Sequence, residues 1–281
     1  MSRLRLIPVI LLKDGLLIRS QLFKTHQAIG DPIPTLRRLS NWKVDEVFFI
    51  NISQNQFFDS RRSDKAHNIN SKSLEGIIKD ASKFIFAPLS VGGGINSINQ
   101  MNKLYRSGAD KCIINKSLFS NPNLIKNSIT KFGSQAVVAS LDFREINKKL
   151  VCFTNSGKEN TNLSLEESIN YVINLGVGEI LLNCIDHEGS KYGYHPEFLN
   201  FDFSKFPLPI IIMGGATELI HFEKGLNSKG ISGVAASNIF YFTENSYPKI
   251  KKHLLNKKIN LRNFSLTNPF LSREPAYSLD F

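Results

Sequence analysis

The chain has 281 residues, 42% of them hydrophobic and 10% aromatic, with a formal net charge of +11 at pH 7. That apolar content is enough for a sizeable core and excludes a disordered chain, and no apolar run approaches the roughly 18 residues a membrane-spanning helix needs. The lysines are dispersed, apart from the pairs Lys251-Lys252 and Lys257-Lys258, and are not interleaved with aromatics, so the charge reads as solvated helix faces rather than a nucleic-acid surface.

Leu4 to Leu12 reads as a buried strand, closed by the turn residues Lys13-Asp14-Gly15. Gly30-Asp31-Pro32 places an N-cap aspartate before a proline at the first helical position, opening a helix to about Trp42. Asp45 to Ile52 is a second strand, Gln54 to Asn70 a polar exposed loop, and a helix runs from about Ser73 to Ser82. A third strand, Phe84 to Val91, ends in glycines and leads to a helix from about Ser97 to Ser107. Asp110 to Asn115 is the fourth strand, and Asn121-Pro122 opens the next helix. The fifth strand, Ala136 to Phe143, is followed by a short hairpin arm at Leu150 to Thr154 and a polar loop at Asn155 to Thr161. Ser164-Leu165-Glu166-Glu167 is a capping box that starts a helix to about Asn174. Glu179 to Ile185 is the sixth strand, followed by the polar loop Asp186 to Gly193. Pro209 to Met213 and Gly233 to Ala236 are the seventh and eighth, and a last helix covers roughly Tyr247 to Leu255.

Eight strand-like runs alternate with helices, and none of the eight pairs plausibly with another as an antiparallel hairpin. That order favours a (β/α)8 TIM barrel. A doubly wound open sheet lacks its G-x-G-x-x-G after the first strand. The barrel is expected to fill residues 1–262 as one domain, with a C-terminal tail, 263–281, of no clear period. The chain also repeats itself. Ser90-Val91-Gly92-Gly93-Gly94-Ile95-Asn96 has a counterpart in Ile211-Ile212-Met213-Gly214-Gly215-Ala216-Thr217, and Gly108 to Phe119 has one in Gly230 to Phe240. Two duplicated half-barrels account for both matches. Strand, glycine turn, helix start leaves backbone amides free at a helix N-terminus, so Gly93-Gly94 and Gly214-Gly215 read as a pair of phosphate-sized anion sites.

Active sites of such barrels lie at the C-terminal strand ends. There Asp142 follows Val137-Val138-Ala139-Ser140-Leu141, and partial desolvation at the rim raises its pKa toward a proton-transfer role. At the opposite end, Arg5, Glu46, Lys111 and Glu179 open strands one, two, four and six and can form an alternating ring of salt bridges. The plainer reading is four surface charges that contribute little to stability. Cys112, Cys152 and Cys184 include no CxxC pair and read as free buried thiols. None of the six histidines lies at metal-ligand spacing with another His or Cys, so no metal and no cofactor is expected. The start of the chain runs directly into a strand, which is not the pattern of a signal peptide and makes a cytoplasmic location the expectation.

From about Leu4 to Arg262 the chain resembles the HisF family, the cyclase subunit of imidazole glycerol phosphate synthase. The matching stretches include Ile7-Pro8, Lys13-Asp14-Gly15, Gly30-Asp31-Pro32, Val91-Gly92-Gly93-Gly94-Ile95, Gly108-Ala109-Asp110-Lys111, Ser156-Gly157-Lys158, Gly178-Glu179-Ile180-Leu181-Leu182, Gly214-Gly215-Ala216 and Ala235-Ala236-Ser237. The resemblance implies a lyase of histidine biosynthesis that works with a HisH-like glutamine amidotransferase, in a heterodimer, and draws ammonia through the barrel. It implies that Gly94, Asn115 and Lys116 hold one phosphate of a bis-phosphorylated phosphoribulosyl formimino-carboxamide. Gly215, Ala236 and Ser237 hold the other, and Glu188 and Gly189 contact substrate. It also makes Arg5, Glu46, Lys111 and Glu179 the ammonia gate. Two departures stand out. The family pairs two catalytic aspartates, and Asp142 matches the second, while Leu11 occupies the place of the first. Asn51 also replaces an aspartate common at the end of strand two. This departure resembles a paralogous branch in which the barrel feeds ammonia to a separate sugar amidotransferase of surface-polysaccharide synthesis. A third reading is a scaffold that activates the glutaminase and catalyses nothing.

Overall fold

Eight parallel strand pairings close a ring. A computed structural model of the chain describes residues 3–53 and 73–263; the polar loop expected at Gln54–Asn70 and nearly all of the C-terminal tail lie outside them. The barrel strands are β1 (Arg5–Lys13), β4 (Val47–Asn51), β5 (Leu89–Gly92), β6 (Lys111–Ile114), β7 (Val137–Ile146), β10 (Glu179–Cys184), β11 (Ile210–Met213) and β12 (Ile231–Ala236). β1 pairs with β4, β4 with β5, and so on around to β12, which pairs with β1, while β7 joins β10 across the middle of the sequence. Helices α1 (Pro32–Asn41), α2 (Leu74–Ala81), α3 (Ile98–Ser107), α4 (Lys116–Ser120), α5 (Pro122–Phe132), α6 (Leu165–Leu175), α7 (Pro196–Asn200), α8 (Leu219–Asn227), α9 (Ile239–Phe242) and α10 (Ser246–Asn256) fall between or after them. The fold is a TIM barrel.

The helix starts follow local chemistry. Asp31 accepts the Ile33 amide at 2.8 Å ahead of Pro32, and Ser164 and Glu167 complete the capping box that opens α6. No described helix is long and apolar enough to cross a membrane. All three cysteines are free and buried.

The eight barrel strands pair with one another only in parallel, as expected, and the hairpin arm at Leu150–Thr154 is present; antiparallel pairing also occurs at a second place that the sequence reading did not anticipate. β2 (Leu16–Gln21) and β3 (Thr25–Gly30) form a hairpin running off β1. β8 (Lys149–Thr154) and β9 (Glu159–Ser164) do the same off β7, so part of the stretch read as the polar loop Asn155–Thr161 is an edge strand. Both added ribbons are largely polar on one face, which hides their period-two signal from a search for buried runs. Each ribbon extends the first strand of a half-barrel, so the duplication is visible in the architecture itself.

The register carries the comparison to single residues. Leu11 pairs with Ile50, which pairs with Gly92. In the second half Asp142 pairs with Asn183, which pairs with Met213. Gly93 and Gly214, the next residues on, share φ = +114°. A side chain at either position would collide with backbone: a Cβ on Gly93 falls 1.9 Å from the Asn51 carbonyl oxygen, and one on Gly214 falls 2.8 Å from that of Cys184. The halves therefore align Leu11 with Asp142, Glu46 with Glu179, and Asn115 with Ser237.

Two apolar layers hold the barrel. Outward residues such as Leu6, Ile10, Phe49, Leu141 and Leu182 pack beneath the helices. The lumen is filled by Ile7, Val9, Leu11, Phe48, Ile113, Val138, Leu181, Ile211, Met213 and Ala235, with Ile18 of β2 joining the same cluster. Below, Lys251 of α10 is fully buried and reaches the Asp45 carboxylate at 2.5 Å, while Tyr247 accepts the Asp45 amide at 2.9 Å. This pair fastens the last described helix against the base of β1 and β4.

Candidate functional site

Asp142 lies at the C-terminal end of β7 and is 6% exposed. Alternation from the lumen residue Val138 points its carboxylate into the barrel mouth. One oxygen accepts Nδ2 of Asn183 at 3.0 Å and the other accepts Nδ2 of Asn115 at 3.0 Å. Burial pushes the Asp142 carboxyl up to about 6, against the opposing pull of those two amides and of Arg144, with a further small rise from Glu188. A carboxylate held near 6 and gripped on both oxygens suits proton transfer near neutrality. The amides that orient it come from the ends of β6 and β10.

Leu11 occupies the equivalent place in the first half. It is 6% exposed and belongs to the apolar lumen cluster. Tyr241 closes over it: the phenol donates to the Val9 carbonyl at 2.6 Å and accepts the Leu11 amide at 3.4 Å. Asn51 is also buried, its side-chain oxygen Oδ1 accepting from the amide and hydroxyl of Ser53 at 3.1 and 2.7 Å.

The second glycine loop borders a cavity of about 470 Å³. Glu188, Gly189, Gly214, Gly215, Ala236 and Ser237, six of the ten residues expected to bind substrate, all line it. The hydroxyl of Ser237 donates to Tyr241 at 3.1 Å, which leaves its backbone to face the cavity. The amides of Thr217 and Glu218, between the glycines and α8, both donate to Nδ1 of His221 at 3.2 Å. Among the described residues, the Thr217 hydroxyl and the Asn238 side-chain carbonyl, both from lining residues, are buried polar atoms without a partner. Burial raises the Glu188 carboxyl above its usual range, although the Phe23 amide and the Ser20 hydroxyl, each at 3.2 Å, pull it back.

Among the described residues two cations line this cavity, Arg19 and Lys191, and sequence reasoning missed the first. Arg19, on β2, lines it and stacks over Phe242 at 5.6 Å. Its signal was unreadable without the hairpin that carries it across the mouth. Of the other four expected residues, Gly94 and Lys116 are exposed, Gly93 borders a cleft of about 20 Å³, and the Asn115 side chain is committed to Ser140 and Asp142.

At the other end the four charges do form a ring. Arg5 donates to Glu46 at 2.6 Å and to Glu179, and Lys111 donates to the same two carboxylates at 2.9 and 2.7 Å. The Ser90 hydroxyl adds a bond to Glu46 at 2.8 Å. Burial alone lowers the Arg5 pKa, but its two carboxylates outweigh that and hold it above the ordinary value. Glu46 and Glu179 are almost wholly buried, which sets this ring apart from a cluster of surface charges. Apolar lumen residues separate it from Asp142.

The histidine expectation needs correction. Cys184, His187 and His195 are brought together, each offering a donor atom within 4.8 Å of the others. Cys184 and His187 stand at a C-x-x-H spacing that the sequence reading passed over, and the loop between β10 and α7 folds back to add His195.

Residues 5–246 match the family model described as histidine biosynthesis protein. The chain is 31% identical over 258 residues to the imidazole glycerol phosphate synthase subunit HisF of Natranaerobius thermophilus, covering 92% of this chain and 98% of the relative. It is 33% identical over 258 residues to the same subunit of Chlorobium phaeovibrioides, with the same coverage, and 32% identical over 263 residues to that of Streptococcus mutans, covering 93% and 100%. A barrel with paired half-barrel registers, matched end to end by these relatives, belongs to the HisF family of histidine biosynthesis proteins.

Proposed function

We propose that this chain is the ammonia-using barrel subunit of a glutamine-dependent synthase, with Asp142 as its single acid–base group. The observation that carries the reading is the axial order of the barrel: a closed charged ring at one end, an apolar lumen, and a desolvated carboxylate at the other. A glutaminase partner, HisH-like, docks at the ring end and releases ammonia there. An apolar lumen favours the neutral amine over ammonium, because desolvation penalises the charged form. Ammonia therefore reaches the mouth as a nucleophile.

At the mouth, Arg19 and the Gly214-Gly215 and Ala236-Ser237 backbone hold one phosphate, while the Gly94 and Asn115-Lys116 segments meet the other. The substrate is a bis-phosphorylated phosphoribulosyl formimino-carboxamide. Asp142 moves protons as nitrogen is incorporated and the chain is cleaved to imidazole glycerol phosphate and an aminoimidazole carboxamide ribonucleotide. Asn115 and Asn183 hold its carboxylate in position. Purified protein given an ammonium salt should consume this substrate, and Asp142→Asn should abolish the turnover. No consumption at high ammonia would remove the cyclase reading.

Leu11 favours a second reading. With an aliphatic group where the family has its other aspartate, the barrel delivers ammonia onward to a separate sugar amidotransferase. In that case glutamine-derived ammonia is released from the complex at an undiminished rate while the formimino-carboxamide is left intact.

A further inference from the structure

A second polar cluster lies behind the mouth, on the outer side of the sheet. Cys184 ends β10 and packs outward among the helices with no exposure. The next residues form a single 3-10 turn, Ile185–His187. Burial pushes the Cys184 thiol up to about 12, opposed in part by the amides of His187 and Asp186. Thiolate is the form that binds metal, and the charge of the metal itself is what deprotonates a coordinating thiol. His187 follows Cys184 at the C-x-x-H spacing. His195 arrives from the far end of the loop, at the start of α7, with its ring centroid 5.0 Å from that of His187.

The imidazoles are oriented as ligands are. Nδ1 of His187 faces the Gly193 carbonyl at 2.8 Å, which fixes the proton there and leaves the lone pair on Nε2. Nε2 of His195 meets the Glu145 carboxylate at 3.0 Å, and its Nδ1 accepts only the Glu197 amide, at 3.2 Å. A carbonyl on one histidine and a carboxylate on the other are the partners that hold metal-bound imidazoles and raise their basicity. A tetrahedral zinc site with bonds of about 2.0–2.3 Å sets its donors about 3.5 Å apart. Atoms already within 4.8 Å of one another need only side-chain adjustment to reach that.

We propose that Cys184, His187 and His195 form a binding site for a borderline divalent cation, zinc first, with a fourth position open to water at the half-exposed edge of His187. Binding releases the Cys184 thiol proton to solvent and replaces the long Glu197 amide contact with the metal bond. Carboxylate and two imidazoles alone suit several cations, but a thiolate beside two imidazoles selects zinc or its chemical analogues over magnesium and calcium. The site is separate from the mouth yet controls part of it. Its ligands bracket the loop that carries Glu188 and Gly189 to the cavity, so an occupied site pins that loop from behind.

The test uses the full-length protein, stripped with chelator, incubated with zinc and desalted. About one equivalent of zinc should remain, and cobalt in its place should give a near-ultraviolet thiolate-to-metal charge-transfer band. Cys184→Ser should lose that band, and both Cys184→Ser and the half-exposed His187→Gln should bind zinc at least about tenfold more weakly while keeping the wild-type circular dichroism. If Cys184→Ser fails to fold, His187→Gln decides. Retention of no zinc, a cobalt spectrum lacking the thiolate band, or undiminished zinc in His187→Gln would each overturn the site.

Discussion

Leu11 and Asp142 stand at the same level of the two half-barrels, both facing the lumen, one aliphatic and one ionisable. The carboxylate lost from the first half is therefore a single side chain away. Leu11→Asp should raise ammonia-dependent turnover of the formimino-carboxamide by roughly 10²–10⁴-fold, the usual worth of general acid–base help. It should also lower the melting temperature, because the new carboxylate enters an apolar cluster beneath Tyr241. Steady-state kinetics with ammonium salt, run beside Leu11→Asn, separate the gained proton from the gained polarity. A rate no higher than that of Leu11→Asn would refute the substitution as the cause of any lost cyclase activity.

Asp142 gives the protein a signed pH dependence. Its folded pKa, about 6, lies above the ordinary 3.8. Between those values the folded chain keeps a proton the unfolded chain has released. The stability this proton brings is complete below pH ~4 and is lost as pH rises through about 6. At about 1.4 kcal/mol per unit, the change is roughly 2–3 kcal/mol. Urea unfolding of wild type and Asp142→Asn from pH 4 to 7 should show wild type losing that amount of stability relative to the variant as pH rises, and a constant difference would contradict the shift.

The ring at the barrel base should couple the two nitrogen sources unequally. Lys111→Met removes one of two cations from between Glu46 and Glu179. Activity or ammonia release driven by glutamine should fall several-fold, while activity with added ammonium salt is kept. Equal losses with both sources would show that the ring serves the fold alone.

Arg19 should matter to phosphate and not to proton transfer. Arg19→Ala should raise KM for the phosphorylated substrate by about 10-fold or more, since a charge-assisted hydrogen bond contributes about 1.5–3 kcal/mol. The pH profile of kcat/KM, which reports the free enzyme, should keep an inflection near 6 from Asp142.

The buried Asp45–Lys251 pair sets a stability test away from the site. Asp45→Asn removes the carboxylate that faces an ammonium with no exposure, and breaking a buried ion pair costs about 3–5 kcal/mol. Denaturant midpoints measure it directly, and Lys251→Met in the same background should recover part of the loss.

The barrel was legible because buried parallel strands write themselves as apolar runs. Ile211-Ile212-Met213 and Val137-Val138-Ala139 need no partner to be recognised, and the glycine repeats marked the two halves. Asp142 was legible because a lone carboxylate after such a run has few places to be. The ribbon after β1 and the outer strand of the one after β7 were not, because edge strands such as Thr25–Gly30 are mostly exposed and lack an apolar face to read. Arg19 was lost with them. Cys184, His187 and His195 escaped for another reason: the Cys184–His187 spacing was passed over, and His195 joins them only through irregular backbone, which has no period.

The register has one more consequence, at the base of the barrel. Glu46 and Glu179 are counterparts, but Arg5 and Lys111 both belong to the first half, and β1 pairs Arg5 with Gly233 of the second. The halves are thus electrically complementary where they are structurally alike. Two copies of the first half would crowd cations around the axis, and two copies of the second would face two bare carboxylates across it. Only one of each closes neutrally, so the ring acts as a mating code that the ancestral symmetry no longer satisfies.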